Sequence, residues 1–220
     1  RYTLFQNIGK AEWNQYSNYS YMGTETNEKG VYNTYQSFEP RVTLNIKANP
    51  SNVFKLAYSR TAQFSTVLQN SLFSYTSIQT WMPSTPNLKP MYADIFSSGY
   101  FAEFASNYSF SIEAYFKNMH NICDYVERAQ LINNPFIESQ IRTGEGIAYG
   151  LSFLASRKNK KLNVDFSYTF SRVFYHIDGI NNNEAYPALH DIPHDLRITT
   201  IYKPYKRLGI SAYFTMHSGY

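Results

Sequence analysis

Four potential metal ligands fall within six residues at His190-Asp191-Ile192-Pro193-His194-Asp195, the sharpest metal candidate in the chain. Pro193 bars the helix that would stack them, and an extended strand would hold His190 and His194 about 13 Å apart, so the spacing disfavours a shared ion. No Ser/His/Asp set stands at a nucleophile elbow and no Gly-rich phosphate loop is visible. The expectation is a chain that is not an enzyme and carries no cofactor. Cys123 is the only cysteine, so neither a disulfide framework nor a Cys-based zinc site can be built from this chain alone. Asn18-Tyr19-Ser20 and Asn107-Tyr108-Ser109 match the glycosylation sequon, but Asn107 falls in a tight turn and both read as chance matches.

Composition narrows the class of element that positions these groups. The 220 residues include 21 Tyr, 16 Phe and 2 Trp, while charged residues supply only 16%, below the ~25% of an average soluble domain. Disorder is excluded. Mean hydropathy is −0.44, and no run of about 18 apolar residues suggests a membrane-spanning helix. A chain rich in aromatics and uncharged polar residues, yet not hydrophobic on average, fits a sheet with one greasy and one polar face, as in a transmembrane β-barrel. The net charge of +4 is too diffuse to suggest nucleic acid.

Period-two alternation carries the fold reading. From 162 to 171 every even position is apolar or aromatic and every odd one polar. Segments 109–117 and 41–48 repeat the pattern, with further runs at 54–58, 100–104, 147–155, 196–202 and 208–216. Short connections near residues 50, 107, 159 and 205 alternate with long ones at 65–92, 127–145 and 178–192. The spacing of about 50 residues resembles a propeller repeat, but two runs of about 10–13 residues per repeat are too long for propeller blades and suit oblique bilayer crossing. The expectation is all-β: an antiparallel up-and-down transmembrane β-barrel, partial, with about nine strands over residues 1–220.

On that reading Glu113, Lys117 and Asp165 face a lumen, and Lys47, Lys55, Arg41 and Arg172 lie on the polar side or near strand ends. Tyr108, Tyr202, Tyr205, Phe174 and Tyr175 at strand ends read as interfacial girdles. Tyr75, Trp81, Tyr92, Phe136 and Tyr186 fall in the long connections, where no lipid interface explains them, and are the candidate substrate-binding residues. Arg157, Lys158, Lys160, Lys161, Lys203, Lys206 and Arg207 make the short turns basic.

The second half resembles a known family. Thr143-Gly144-Glu145-Gly146-Ile147-Ala148-Tyr149-Gly150-Leu151-Ser152-Phe153, a polar turn, then Phe166-Ser167-Tyr168-Thr169-Phe170-Ser171-Arg172 is similar to the barrel of TonB-dependent outer-membrane receptors. Tyr186-Pro187-Ala188, Ile192-Pro193-His194-Asp195-Leu196 and Ser218-Gly219-Tyr220 continue the match. Upstream, Glu39-Pro40-Arg41, Tyr58-Ser59-Arg60-Thr61, Leu88-Lys89-Pro90 and Ser98-Gly99-Tyr100-Phe101 fit the same barrel. The motif order looks most like Bacteroidota-type receptors with carboxypeptidase-regulatory-like and plug domains upstream.

The resemblance implies a barrel of about 22 strands in the bacterial outer membrane, closed by a plug of the same polypeptide. It also implies import of a scarce substrate (glycan, peptide, siderophore or similar), with energy passed through TonB by N-terminal parts absent from this chain. Outer-membrane lipid and a surface lipoprotein are the further partners implied, and nucleic acid is not among them. His194-Asp195 then reads as the family's strand entry rather than a metal site. A passive outer-membrane porin or structural barrel would share every strand-level feature, and a soluble all-β binding module remains the third reading.

Overall fold

Alternating residues build strands wherever one face is greasy and the other polar, and the chain folds almost entirely in this way. The computed structural model describes residues 1–69, 79–105, 107–130, 134 and 136–218. The protein is all-β and antiparallel. Its main sheet is a meander of eight long strands, ordered β5 (Arg41–Asn49), β6 (Asn52–Gln63), β9 (Met91–Phe104), β10 (Tyr108–Tyr125), β11 (Ile141–Lys158), β12 (Leu162–His176), β14 (His194–Tyr205) and β15 (Leu208–His217). The two-residue strand β13 (Tyr186–Pro187) adds to the free edge of β12. Among the described residues β5 and β15 do not pair, so the sheet is open. Four shorter strands, β1 (Tyr2–Ile8), β2 (Ala11–Ser17), β3 (Ser20–Asn27) and β4 (Val31–Phe38), form one long hairpin in two steps, β1 with β4 and β2 with β3. A second hairpin joins β7 (Ser65–Gln69) to β8 (Gln79–Pro83).

Strand polarity sends connections alternately to the two ends of the sheet. The turns between β5 and β6, β9 and β10, β11 and β12, and β14 and β15 share one end. The β7–β8 hairpin, residues 126–130 and 136–140, and residues 177–193 share the other, and both ends of the β1–β4 hairpin meet the sheet there, where the Glu39 N–H donates to the Arg1 carbonyl at 2.7 Å.

Register makes the two faces explicit, because directly paired residues point the same way. One row runs Val42, Tyr58, Phe96, Phe116, Tyr149 across β5, β6, β9, β10 and β11. Below it the aromatic rings of Phe54, Tyr100, Phe110, Phe153 and Phe166 touch in succession, with centroids 4.7–6.0 Å apart. These residues share one face, and it is uncovered: Val42 is 63% and Phe214 52% exposed.

The buried core lies elsewhere. Ala93, Met119, Ala148 and Ile122 stand on the polar face near the long-connection end, and Ile177, Ile180 and Tyr186 fold down on them from the β12–β14 connection. A smaller cluster of Leu88 and Ile141, with Met82, Cys123 and Tyr125 packed against it, covers the opposite face at the same end.

Strands β10 and β11 exceed the expected 10–13 residues, at 18 each. At Asn121, whose φ is +57°, β10 has a bulge that shifts the alternation by one. Ile122 therefore turns to the polar face and Cys123 to the other. The pattern breaks there, but the strand does not, so residues 141–145 belong to β11 rather than to a long loop.

Glycines of β11 let the core close. A Cβ at Gly144 would overlap the carbonyl oxygen of His176 and lie 2.8 Å from Cα of Ile177, while one at Gly209 would meet nothing nearer than 3.9 Å. Gly144→Ala should therefore destabilise by about 1–3 kcal/mol, as overpacking does, and Gly209→Ala by under about 0.5 kcal/mol. Thermal unfolding of the two variants checks this; equal midpoints would contradict the packing described.

Candidate functional site

The polar face carries a row of hydrogen-bonding side chains broken only at Gly99. Lys55 pairs in register with Gly99, Gly99 with Glu113, Glu113 with Ser152, Ser152 with Thr169, and Thr169 with Asp195, so the row crosses six strands. The Ser152 and Thr169 hydroxyls are 3.1 Å apart, and Asp195 takes a two-pronged ion pair from Arg197 at 2.9 and 2.8 Å. Gly99 is small for a reason. A Cβ there would lie 2.8 Å from Phe101 Cε2 and 3.2 Å from Glu113 Cγ, so its absence lets both side chains lie against the sheet. The Lys55 ammonium sits 4.3 Å from the Phe101 ring centre.

Glu113, Lys117 and Asp165 all lie on this face, as the alternation predicts. Glu113 and Asp165 are exposed, Lys117 is half-buried, and Asp165 accepts a 2.5 Å hydrogen bond from the Ser156 hydroxyl. Arg172 departs from the polar group. It shares register with Tyr149 on the apolar face, at the border of that face, where its Nε donates to buried Asp191 at 2.9 Å. Tyr175 departs in the other direction, turning to the polar face to pack edge-on against Tyr186 and His190.

Arg172–Asp191 belongs to a charged belt that ends the apolar face at the long-connection side. Arg60 grips Asp94 with two bonds of 2.8 and 2.7 Å, and the Tyr58 hydroxyl donates to the same carboxylate at 2.7 Å. In the next row His120 lies 3.4 Å from Glu145. Sequence reading missed this belt because its members occupy greasy-face positions, where alternation alone predicts apolar residues.

The aromatic candidates share one end of the sheet but not one site. Trp81, on β8, is 67% exposed. The Tyr92 hydroxyl donates to the Gln36 carbonyl at 3.4 Å, and Phe136 meets Tyr21 edge-on at 5.4 Å. Tyr186 donates to Asp124 at 2.9 Å, and burial, then the Asp124 charge, holds its phenol above the ordinary range. Tyr75 lies outside the described residues. His194 is engaged with the Tyr168 hydroxyl at 2.8 Å, and among the described residues no three His, Cys, Asp or Glu side chains converge on a metal-sized space.

What ties this end together is the β1–β4 hairpin. Its tip turns at Asn18 and Tyr19, both at positive φ, the geometry of a tight two-residue hairpin turn. Tyr19 then stacks under Arg142, 3.7 Å from ring centre to guanidinium. Along its length Asn7 donates to the Ser84 carbonyl and Tyr35 to the Thr85 carbonyl. Asn87 bonds both the Asn14 carbonyl and Glu138, and Thr85 donates to the other oxygen of Glu138 at 2.9 Å. The hairpin thus straps the connections 84–90 and 136–140 together. Asn18 at a turn between alternating runs was the available signal, hidden because both faces of the hairpin mix polar and apolar residues. No family model, curated protein or solved structure matches the chain.

The strap is anchored by Glu39, 2% exposed. Its carboxylate accepts from the Thr3 hydroxyl at 2.7 Å, and this bond, with help from the Arg1 charge and the Ala62 N–H, holds the group below its ordinary range against the opposing effect of burial. A carboxyl with a lowered folded pKa stabilises above its unfolded value near 4.5 and loses that contribution as pH falls through the folded pKa. Amide exchange at the β1–β4 base should therefore loosen in acid, after correction for intrinsic rates, and Glu39→Gln should flatten that dependence. Wild-type protection that stays level down to about pH 2 would refute the anchoring role.

Proposed function

We propose that this chain is part of the wall of an outer-membrane barrel, and that the barrel belongs to a TonB-dependent importer. The observation that carries the membrane reading is the exposed apolar face, bounded by charged side chains at the long-connection end and, on its β11–β15 side, by basic turns at the other. On β10 it extends from Tyr108 to Phe116, with the His120–Glu145 pair beyond it at one end and the basic turns at the other. Eight steps of about 3.4 Å make this roughly 27 Å along the strand, or about 20 Å at a tilt near 40°, comparable with the ~25 Å apolar band of outer-membrane barrels.

A monomer in water rarely exposes one apolar patch beyond a few hundred Å². Lipid on that face, with water or polar protein against the Lys55–Glu113–Ser152 row, satisfies both surfaces at once. The open edges β5 and β15 then require further strands, since unpaired backbone is not tolerated in hydrocarbon. The importer part of the proposal rests on the family resemblance of the motifs. It places a plug against the polar face, TonB behind the plug, and substrate recognition in the long connections, where Trp81, Phe136 and the hairpin tip are exposed.

Leu151, near the middle of β11 on the apolar face, should tolerate charge poorly. Leu151→Arg is expected to cost about 2–4 kcal/mol of stability in a bilayer, and Ser211→Arg on the polar face of β15 under about 1 kcal/mol. Unfolding titrations in lipid vesicles distinguish the two, and equal costs would overturn the membrane assignment. Uptake by cells expressing the full-length gene, with and without TonB, tests the importer. Uptake that is unchanged without TonB would mark a passive barrel.

A further inference from the structure

The short-turn end is not uniform around the sheet. The turns at 49–52 and 105–107 carry no charge, whereas those at 157–161 and 203–207 hold Arg157, Lys158, Lys160, Lys161, Lys203, Lys206 and Arg207 with no acidic residue among them. Seven of the chain's 20 Lys and Arg stand here, and this +7 exceeds the net +4 of the whole chain, so the rest is net acidic. The two turns adjoin: the Lys203 N–H donates to the Lys161 carbonyl at 2.7 Å. All seven side chains are exposed, and none has an ion pair within 4.0 Å among the described residues. Glu103 shares a small cavity with Lys158 without pairing with it, and Asp165 is engaged by Ser156.

Like charges on adjoining turns repel one another, and within the described residues no ion pair offsets that repulsion. An external anion would. The apolar face decides which anion, because it continues directly into the patch. Tyr202 and Tyr205 of β14 pair with Ile210 and Leu208 of β15 at the foot of the greasy face, where Tyr205 is 75% exposed, and Arg157 lies 5.5 Å from the Tyr108 ring centre. A soluble polyanion has no use for that continuity. A phospholipid does, with its phosphate among the cations, its glycerol level with the tyrosines and its acyl chains along Ala155, Phe166 and Ala212.

We propose that the adjoining basic turns 157–161 and 203–207 form a binding site for anionic phospholipid headgroups, confined to the β11–β15 side of the sheet. The inference rests on the membrane-wall reading and goes beyond it, since a barrel wall needs lipid but not lipid of one charge.

The test reconstitutes the protein in bilayers of phosphatidylcholine containing about one fifth phosphatidylglycerol, then counts the lipids retained on detergent release by native mass spectrometry. Phosphatidylglycerol should be retained in excess of its share, and the excess should fall with salt. A variant with K158Q, K160Q, K161Q, K203Q and K206Q should lose that preference by at least about tenfold, whereas K10Q/K29Q/K89Q should keep it. Equal retention by wild type and the five-site variant would overturn the site. So would wild-type binding of heparin that matches its binding of phosphatidylglycerol vesicles, which would make the patch a site for soluble polyanions. A protein that integrates into these bilayers yet retains both lipids by their share refutes this site alone. A protein that associates with no vesicle refutes the membrane reading and this site with it.

Discussion

A single-layer sheet with period-two alternation has nowhere to hide its greasy face, and most other features of this protein answer that constraint. In a sandwich a second sheet would supply the missing layer. Here, among the described residues, the meander is one layer thick over its short-turn half, and the side chains of Leu44, Leu56, Phe96, Leu151 and Phe214 stay about half exposed. Burial of such groups is the main favourable term in folding, so a face left this exposed among the described residues calls for an apolar surrounding, which the membrane-wall reading supplies. Cross-strand contacts such as Phe54 on Tyr100 and Phe153 on Phe166 fix register without removing the need for that surrounding.

At the long-connection end the protein supplies its own cover, on both faces. Ile177 and Ile180 descend onto Ala93, Met119 and Ala148 on one side, and Leu88 covers Ile141 on the other. The residues that make this possible are small. Gly144 and Gly146 clear room for Ile177 and the Tyr175 ring, and Ala93 and Ala148 keep the floor level. Polar groups then close the structure from above. Glu138, held by Thr85 and Asn87, joins connections that are distant in sequence, and Asn87 also reaches Asn14 of the hairpin. The end that carries the irregular chain is therefore the end that looks most like an ordinary folded domain.

What could be read from the sequence follows the same division. Where one face is apolar and the other polar, as at 162–171 or 109–117, alternation names the strand, the face and the parity of Glu113, Lys117 and Asp165. Where the chain covers itself, alternation is lost, because a covered strand can be apolar or small on both sides. Residues 141–146 lack a greasy stripe for that reason, and the bulge at Asn121 reverses the pattern just where β10 enters the covered zone. The aromatic candidates show the limit most plainly. The loss of alternation leaves Trp81, Tyr92, Phe136 and Tyr186 in the connections, but Tyr92 belongs to β9, and whether a ring is free or committed depends on partners such as Gln36, Tyr21 and Asp124, far away in sequence.

The covered end also couples surfaces that a bare sheet would keep separate. The connection 177–193 contributes Ile177 and Ile180 to the polar-face core and Asp191 to the Arg172 pair at the border of the apolar face, so one segment is held by both faces. It is fixed again by Tyr186 on Asp124 at the end of β10, close to Arg142, which carries the hairpin tip through Tyr19. A displacement of this connection would expose Met119 and Ala148 and strip Arg172 of its carboxylate, losing buried contacts and an ion pair together. Displacing this connection alone would therefore lose contacts on both faces of the sheet. On the importer reading, a ligand settling on the paired rings of Phe136 and Tyr21 would touch the hairpin, which is strapped to that same end of the sheet. The packing thus joins the rings at this end to the polar-face core through Tyr19, Arg142, Asp124 and Tyr186.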